Sequence, residues 1–296
     1  MNYEIIQLHR FVEPFLTIGA HDLNALSTDD CREERNLTIE MDALSCLPLF
    51  PNLRKLVLRP GEITIGTLEH LKGLRIEALK IDYCSDEFDD YTLDLSWFPE
   101  LELLVSRSSR NFANAEGCPR LQTVIVADWL EPDLGSLRQS SIVALKLLRG
   151  KLKSLHGIEE SGLLSLSLSY QRGLSDVSAL QSLIELESLQ IDHCPKIDLQ
   201  TLPAMPHLKY LELYGSQTVQ DLGFLGNYPE LDHFLFDIRI ADGQLAPLLS
   251  LSHSVSLIDR VHYSLKDRDL PKARTPFHSD CIPSWLEILP EAKGCG

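Results

Sequence analysis

One short pattern of acidic and apolar positions occurs three times between residues 174 and 231. Each copy starts with an aspartate, and apolar residues follow one, four, seven and ten positions later. Successive copies start 22 and 23 residues apart. This regularity predicts a solenoid in which each unit buries its apolar edge against the next unit. The three copies are Asp176/Val177/Leu180/Leu183/Leu186, Asp198/Leu199/Leu202/Met205/Leu208 and Asp221/Leu222/Leu225/Tyr228/Leu231.

Each copy runs into a segment with apolar residues in a Leu-x-x-Leu-x-Leu arrangement, and the same segment recurs upstream. Its first apolar position can be followed through nine units with gaps of 20 to 25 residues. We interpret each segment as one short strand followed by a return arm. Side chains alternate along a strand, so the leucines should face the core and the residues between them the opposite face. The first positions are Leu53, Ile76, Leu101, Leu121, Ile142, Leu163, Leu186, Leu208 and Leu231.

These segments resemble the leucine-rich repeat family, most closely the short class of about 22 residues found in bacterial internalin-like proteins. The resemblance covers residues 34–255, and residues 174–180 (LSDVSAL) are its clearest local match. It implies an α/β solenoid with a curved parallel β-sheet on the concave face and short 3₁₀ or extended convex arms. Protein binding is the commonest task in this family.

One position departs from the family, which carries Asn or Cys in the turn three residues after the last strand leucine. Only two of the nine residues found there conform. We therefore expect other backbone groups or water to form hydrogen bonds with the backbone groups inside this turn. The residues are Gly61, Cys84, Ser109, Trp129, Gly150, Gln171, Cys194, Ser216 and Arg239.

The two ends of the chain do not fit the repeat. A terminal repeat exposes its apolar edge unless something covers it. We therefore expect residues 1–33 to form an N-terminal cap and residues 34–260 to form about ten repeats. Residues 261–296 contain four spaced prolines and should form a C-terminal cap and tail.

The charge balance narrows the choice of partner. There are 43 acidic and 27 basic residues among 296, a formal net charge of −16. Such a charge repels nucleic acids and anionic membranes and favours a basic protein. The first residues contain no basic leader, no apolar run approaches about 18 residues, and the seven cysteines form no C-x-x-C pair. We expect a cytoplasmic protein with reduced thiols.

The search for catalytic chemistry finds no nucleophile elbow, zinc-protease helix or phosphate-binding loop. The acidic run at residues 86–90 lacks the alternating carboxylates of a calcium loop, so a solvated turn is favoured there. His193 and Cys194 suggest a metal or thiol site, but a buried structural cysteine is favoured because no second ligand pair is near. We expect no enzyme activity, no cofactor and no metal.

The residues between the strand leucines should form the binding surface. The early half of this concave face is basic and partly apolar, with exposed Val105, Ile125 and Leu148, and the later half is acidic with tyrosines. Tyrosine and arginine commonly anchor interfaces, although strand propensity alone also explains aromatic and branched residues here. The predicted partner-binding residues are Tyr83, Arg107, Arg149, Tyr170, Asp192, His193, Glu212, Tyr214, His233 and Asp237.

Two functions are consistent with these features. The first is a non-enzymatic protein-binding module, in a narrower form a cytoplasmic inhibitor or immunity-type protein that neutralises a basic toxin or nuclease. The alternative is a regulatory scaffold that binds and positions an enzyme such as a phosphatase.

Overall fold

The computed structural model describes residues 25–27, 54–58, 71–81, 92–138, 140–256, 263–265 and 270. Eleven of its strands form one parallel sheet in which spatial order follows chain order. Those strands are β1 (Ala25–Ser27), β2 (Lys55–Leu58), β3 (Ala78–Ile81), β5 (Leu103–Ser108), β7 (Thr123–Trp129), β8 (Ala144–Gly150), β9 (Ser165–Ser169), β10 (Ser188–Asp192), β11 (Tyr210–Val219), β12 (His233–Ile240) and β13 (His253–Ser256). Between them, β4 (Leu93–Asp94) and β6 (Phe112–Ala113) form a separate parallel pair.

The strand leucines stand in register and form the core. The first column of this core, with no residue more than 1% exposed, runs across nine neighbouring strands. A second buried column lies two residues further along most of these strands. The strand leucines are thus buried as predicted, but burial alternates clearly only along β10 and β12, because β5, β7, β8 and β9 each bury four consecutive residues. The first column is Leu56, Leu79, Leu104, Val124, Leu145, Leu166, Leu189, Leu211 and Phe234.

The return arms contain short 3₁₀ helices, and a repeated aspartate forms a turn at or just before the start of several of them. Asp176 accepts a hydrogen bond from the backbone N–H of Ser178, two residues ahead, at 3.1 Å. This is an Asx turn, which satisfies an N–H that has no partner within the helix. The same bond is made by Asp94, Asp133, Asp198, Asp221 and Asp242. The 3₁₀ helices are Leu95–Trp97, Ser109–Asn111, Ala115–Gly117, Gly135–Leu137, Ser178–Ser182, Leu199–Thr201, Gly223–Asn227 and Ala246–Ser250.

In the turns after β5, β7 and β10, side chains of several kinds form hydrogen bonds with the backbone. The Ser109 hydroxyl accepts a bond from the Leu130 N–H at 2.9 Å. The Trp129 indole donates to the Asp133 carbonyl at 2.8 Å, and the Cys194 thiol donates to the Asp192 carbonyl at 3.4 Å. Ser109 and Trp129 thus take the place of the family's Asn, whereas the side-chain amide of Gln171, at the same position after β9, has no hydrogen-bond partner.

The predicted boundaries of the caps remain predictions. Strand β1 lies within the segment expected to form the N-terminal cap and is hydrogen-bonded in parallel to β2. Leu270, in the expected C-terminal cap, is 4% exposed and belongs to the core cluster. Most of both predicted caps, like the acidic run at residues 86–90, lies outside the described residues.

Candidate functional site

The outer face of the sheet, which is the face opposite the leucine core, carries most of the predicted binding residues. Its early half is less basic than the sequence suggests. Arg107 and Arg149 reach the same carboxylate, Asp128, with nitrogen to oxygen distances of 3.6 and 3.1 Å. One acidic residue on β7 therefore neutralises much of the charge of its neighbours on β5 and β8. Tyr83 lies outside the described residues.

The apolar patch expected in the early half is not available to a partner. Val105 is 1% exposed and Ile125 is 0% exposed, so the expectation that they are exposed is wrong. Lys80 and Lys146 stand beside them in the same row of the sheet. The methylene stems of lysine cover apolar surface, which gives one physical reason for the burial. Leu148 is partly exposed.

Lys146 is an unusual charge in the centre of this face. It is 4% exposed, and among the described residues it has neither a hydrogen bond nor an ion pair. Desolvation lowers the pKa of its ammonium to about 8, and the negative charges of Glu212 and Asp192 oppose that shift from a distance. A buried cation without a close partner is costly.

A hydrogen-bonded chain begins at Ser167, the neighbour of Lys146 in the same row. The Ser167 hydroxyl donates to Gln190, and the Gln190 amide donates to Glu212 at 2.8 Å. The Tyr214 hydroxyl also donates to Glu212, at 3.0 Å. Burial raises the pKa of the Glu212 carboxyl, and it raises the pKa of Tyr214 as well. This network holds the centre of the face in one arrangement.

Glu212 therefore does not form part of an accessible acidic stripe. It is 9% exposed, and its carboxylate is occupied by two side-chain donors. The sequence places it correctly on the outer face, but alternation along a strand does not reveal which side chains bond to each other.

Another row of the outer face remains open to solvent. Asp192, Tyr214 and Asp237 stand in register on β10, β11 and β12. Asp237 has neither a hydrogen bond nor an ion pair among the described residues, whereas Asp192 accepts a bond from the His193 ring. Two carboxylates thus flank one half-buried tyrosine ring.

His233 lies at the opposite end of the same strands. Its ring stacks on Tyr210 with 4.8 Å between centroids, and its side chain is only 15% exposed. Burial lowers the pKa of His233, while the carboxylate of Asp232 acts in the other direction. We expect His233 to be mainly neutral at pH 7 and to present an aromatic edge rather than a charge.

Tyr170 and His193 occupy the rim where β9 and β10 end. Both have left-handed backbone conformations, with φ of 54° and 51°. For residues other than glycine this costs on the order of 1 kcal/mol, and it is uncommon for bulky side chains. Their rings stack with 4.8 Å between centroids and 12° between planes, and Tyr170 stays 46% exposed. The structure thus brings together two predicted residues from different repeats.

A pocket of about 170 Å³ opens beside this stacked pair. Its second wall is a bulge in β11, where the register with β12 shifts between Tyr214 and Thr218. The sequence analysis did not single out this bulge or the pocket, and Gly215 within a strand was the available signal. The pocket is lined by Tyr170, Arg172, His193, Cys194, Pro195, Gly215, Ser216 and Gln217.

Cys194 belongs to the structure of the turn. It is 0% exposed, and burial raises the pKa of its thiol to about 11. A protonated thiol that bonds to backbone carbonyls is neither a ready nucleophile nor a ready metal ligand. Within the described ranges, no group of three His, Cys, Asp or Glu side chains is placed to hold a metal ion. None of the helices in those ranges has the length and apolar character needed to span a bilayer.

Comparison with known proteins agrees with the parallel sheet and its repeated register. No family profile matches the chain, and no curated protein does. Among solved structures, the chain is similar to an internalin (inlF) from Listeria monocytogenes str. 4b F2365. The TM-score is 0.52 at 17% identity, and the match covers 80% of this chain and 70% of that one. The fold is internalin-like. At 17% identity, this similarity is evidence for the fold and not for a shared function.

Proposed function

We propose that this chain is a non-enzymatic protein-binding module whose working surface is the later half of the outer face. One observation carries the proposal. In the later half, exposed aromatic rings stand beside the carboxylates of Asp192 and Asp237, and Asp237 has no cationic partner among the described residues. In the early half, two arginines share the carboxylate of Asp128. Aromatic anchors surrounded by complementary charge are typical of protein interfaces.

The partner that this surface fits is a basic protein. Asp192 and Asp237 stand two strands apart in one row, so their fields add at the tyrosine between them. The net charge of −16 acts over longer distances and accelerates the encounter with a cationic protein. In the narrower form of the proposal, the chain is a cytoplasmic inhibitor of the immunity type that covers a basic toxin or nuclease.

Charge reversal on the outer face tests this proposal. Immobilised wild-type chain is compared with the double variant Asp192→Lys/Asp237→Lys in capturing proteins from the native host, followed by mass spectrometry. The double variant Glu116→Lys/Glu185→Lys is the matched control, because both of its positions are exposed on the return arms. We expect only the outer-face variant to lose a protein that the wild type captures.

Kinetics with the captured protein then examine the mechanism. The outer-face variant should associate at least tenfold more slowly at low salt, and the difference should shrink at high salt. Equal rates for the outer-face variant and the wild type, together with slow association of the control, would place binding on the arms and contradict the proposal. Loss of the partner's own activity on binding supports inhibition, whereas retained activity favours a scaffold that positions an enzyme.

A further inference from the structure

The turns that follow β8, β9 and β10 bring together exposed cations that have no counter-ion. By contrast, Arg75 and Arg120 of the earlier repeats pair with carboxylates of neighbouring repeats. In a chain with a net charge of −16, such a group of unpaired cations is a local reversal of sign. We call this group the cationic rim. Its members, none of which has a side-chain hydrogen bond or an ion pair to another described residue, are Lys151, Lys153, Arg172 and Lys196.

Backbone packing places three of these cations in consecutive turns along the end of the sheet. A Cβ atom at Gly173 would lie 3.9 Å from the Lys151 carbonyl oxygen, so the turn that contains Arg172 packs on the turn that contains Lys151. Arg172 and Pro195 line the same pocket, and Lys196 follows Pro195 in the chain. Because neighbouring strands lie about 4.8 Å apart, the positive charges of consecutive turns reinforce each other within a Debye length of about 8 Å.

Two carboxylates lie near the cationic rim without cancelling its charge inside the pocket. Glu131 is in the turn after β7, and one of its carboxylate oxygens is buried with no hydrogen-bond partner among the described residues. Asp192 accepts a hydrogen bond from the His193 ring. Neither carboxylate belongs to the pocket lining, whereas the guanidinium-bearing Arg172 does. The charge that a ligand meets inside the pocket is therefore positive.

The other lining groups suit an acidic side chain that has an apolar stem. The Ser216 hydroxyl is exposed and has no hydrogen bond to any residue that the structure describes, so it is available as a donor. The stacked rings of Tyr170 and His193 line the pocket and offer apolar contact to a methylene stem. A carboxylate accepts two parallel bonds from one guanidinium, and such charge-assisted bonds are about twice as strong as neutral ones.

The size of the pocket favours one side chain over a whole small molecule. Its volume is about 170 Å³, whereas sites for small-molecule ligands usually enclose roughly 300–1,000 Å³. A nucleic acid is disfavoured by the net charge of −16 and by the carboxylates of Asp192 and Asp237 on the adjoining outer face. Among acidic side chains, glutamate has the longer methylene stem and reaches further over the rings.

We propose that the rim pocket receives a glutamate side chain of the partner protein, whose carboxylate pairs with Arg172 and Ser216 and whose stem packs on His193. The proposal rests on the proposed function, because it adds one acidic contact to the recognition of a basic partner. The cationic rim and the row that contains Asp192 and Asp237 then form adjacent regions of opposite charge. Such an arrangement fixes the orientation in which the partner docks.

A blocked pentapeptide, acetyl-Gly-Glu-Gly-Glu-Gly-amide, tests the pocket without the partner. Its titration into the full chain is followed by NMR through the side-chain N–H of Arg172, the His193 ring and the backbone amide of Ser216. We expect saturable shifts at these three residues. The pentapeptide with glutamine in place of glutamate should bind at least fivefold more weakly, because it keeps the stem and lacks the charge. Equal affinity of the two peptides would overturn the proposal.

Two further probes distinguish the source of the anion. If the pocket serves a protein side chain, the blocked pentapeptide binds at least as well as free glutamate and better than a short oligothymidylate. Tighter binding of free glutamate would assign the pocket to a small molecule, and tighter binding of the oligothymidylate would assign the cationic rim to nucleic acid. Either of these results contradicts the proposal.

Three variants complete the test. Arg172→Gln should weaken binding of the glutamate pentapeptide at least fivefold with unchanged melting temperature, because the side chain is exposed. Arg172→Lys keeps the charge and loses the planar fork, so it should bind with intermediate affinity. Arg138→Gln, at another exposed arginine on a return arm, is the matched control and should bind as the wild type does. Undiminished binding by folded Arg172→Gln would contradict the proposal.

The outcomes separate the two proposals. If the outer-face charge reversal abolishes partner capture and the glutamate pentapeptide does not bind, the proposed function stands and the glutamate pocket is wrong. If the pentapeptide binds and the charge reversal leaves capture intact, the pocket stands and the proposed working surface is wrong.

Discussion

At the scale of single residues, this protein places polar groups where their burial costs stability. Lys146 stands with 4% exposure on the outer face and has no close counter-charge among the described residues. Gln171 is fully buried, and both polar atoms of its amide lack hydrogen-bond partners. Such groups are expected to lower stability unless a partner or a further contact uses them.

Replacing the buried lysine should stabilise the chain in a pH-dependent way. The folded pKa of Lys146 is about 8, against an ordinary value of 10.5. The unfolded chain therefore binds more protons between these values, so wild-type stability rises with pH across that window. Lys146→Met should be more stable at pH 7, by up to about 3 kcal/mol, and should lose this advantage by pH 10.5. Urea denaturation at pH 7, 8, 9 and 10.5 measures the difference in free energy of unfolding between Lys146→Met and the wild type. A difference that does not change with pH would contradict the burial of the charge.

The buried amide of Gln171 leads to a second stability prediction. Gln171→Met keeps the volume of the side chain and removes two unsatisfied polar atoms. We expect it to gain about 1 kcal/mol, which is a rise of roughly 2 to 4 °C in melting temperature for a chain of this size. Gln200→Met, at a partly exposed arm position, should show no such gain. A lower melting temperature for Gln171→Met would mean that the amide is hydrogen-bonded in solution.

At the scale of elements, the inward leucines of neighbouring strands support each other. Leu189 and Leu211 stand in register and are 0% exposed. Truncation of either to alanine should cost about 2–5 kcal/mol, because it removes core volume between two neighbouring repeats. Ile184→Ala, at a side chain 59% exposed, is the control and should cost far less. Chemical denaturation of the three variants checks this, and near-equal losses would show that the core assignment is wrong.

The spacing of apolar positions was sufficient to predict the strands and their inward faces. Leu186, Leu208 and Leu231 open their segments in the sequence and are all buried in the structure. The repeated aspartate was visible too, and in the structure it forms a turn with the backbone N–H two positions ahead, at or just before the start of a 3₁₀ helix. Periodicity predicts these features because equivalent positions in every repeat pack against equivalent positions of the neighbouring repeats.

The features of the candidate site depend on differences between repeats, which periodicity does not contain. The burial of Ile125 depends on its flanking side chains, and that of Glu212 depends on donors in other positions. The left-handed conformations of Tyr170 and His193 turn their side chains outward where alternation would point them inward. The bulge after Tyr214 adds residues that no other described repeat has at this point.

At the scale of the whole molecule, the order of the strands determines where charged side chains lie on the outer face of the sheet. Between the edge strands β1 and β13, each strand of the described sheet lies between the strands of the preceding and following repeats, so the early and late halves of the outer face are separate regions. The early half carries the arginines shared by Asp128, and the later half carries the row of Asp192 and Asp237. A partner that engages the later half should therefore be insensitive to Arg107→Ala, and measured affinities of that variant check the separation.

The same strand order has a mechanical consequence. From β1 to β13, the hydrogen bonds that link each strand to the next all point along the direction in which the repeats follow one another. A pulling force applied between the first and last strands of the described sheet acts along these bonds and breaks them one strand at a time. Each released repeat of 20 to 25 residues adds roughly 70 Å of extended chain. Stretched in an optical trap through handles attached at the first and last strands of the sheet, the repeats should lengthen in a series of small low-force steps and so behave as a compliant spring.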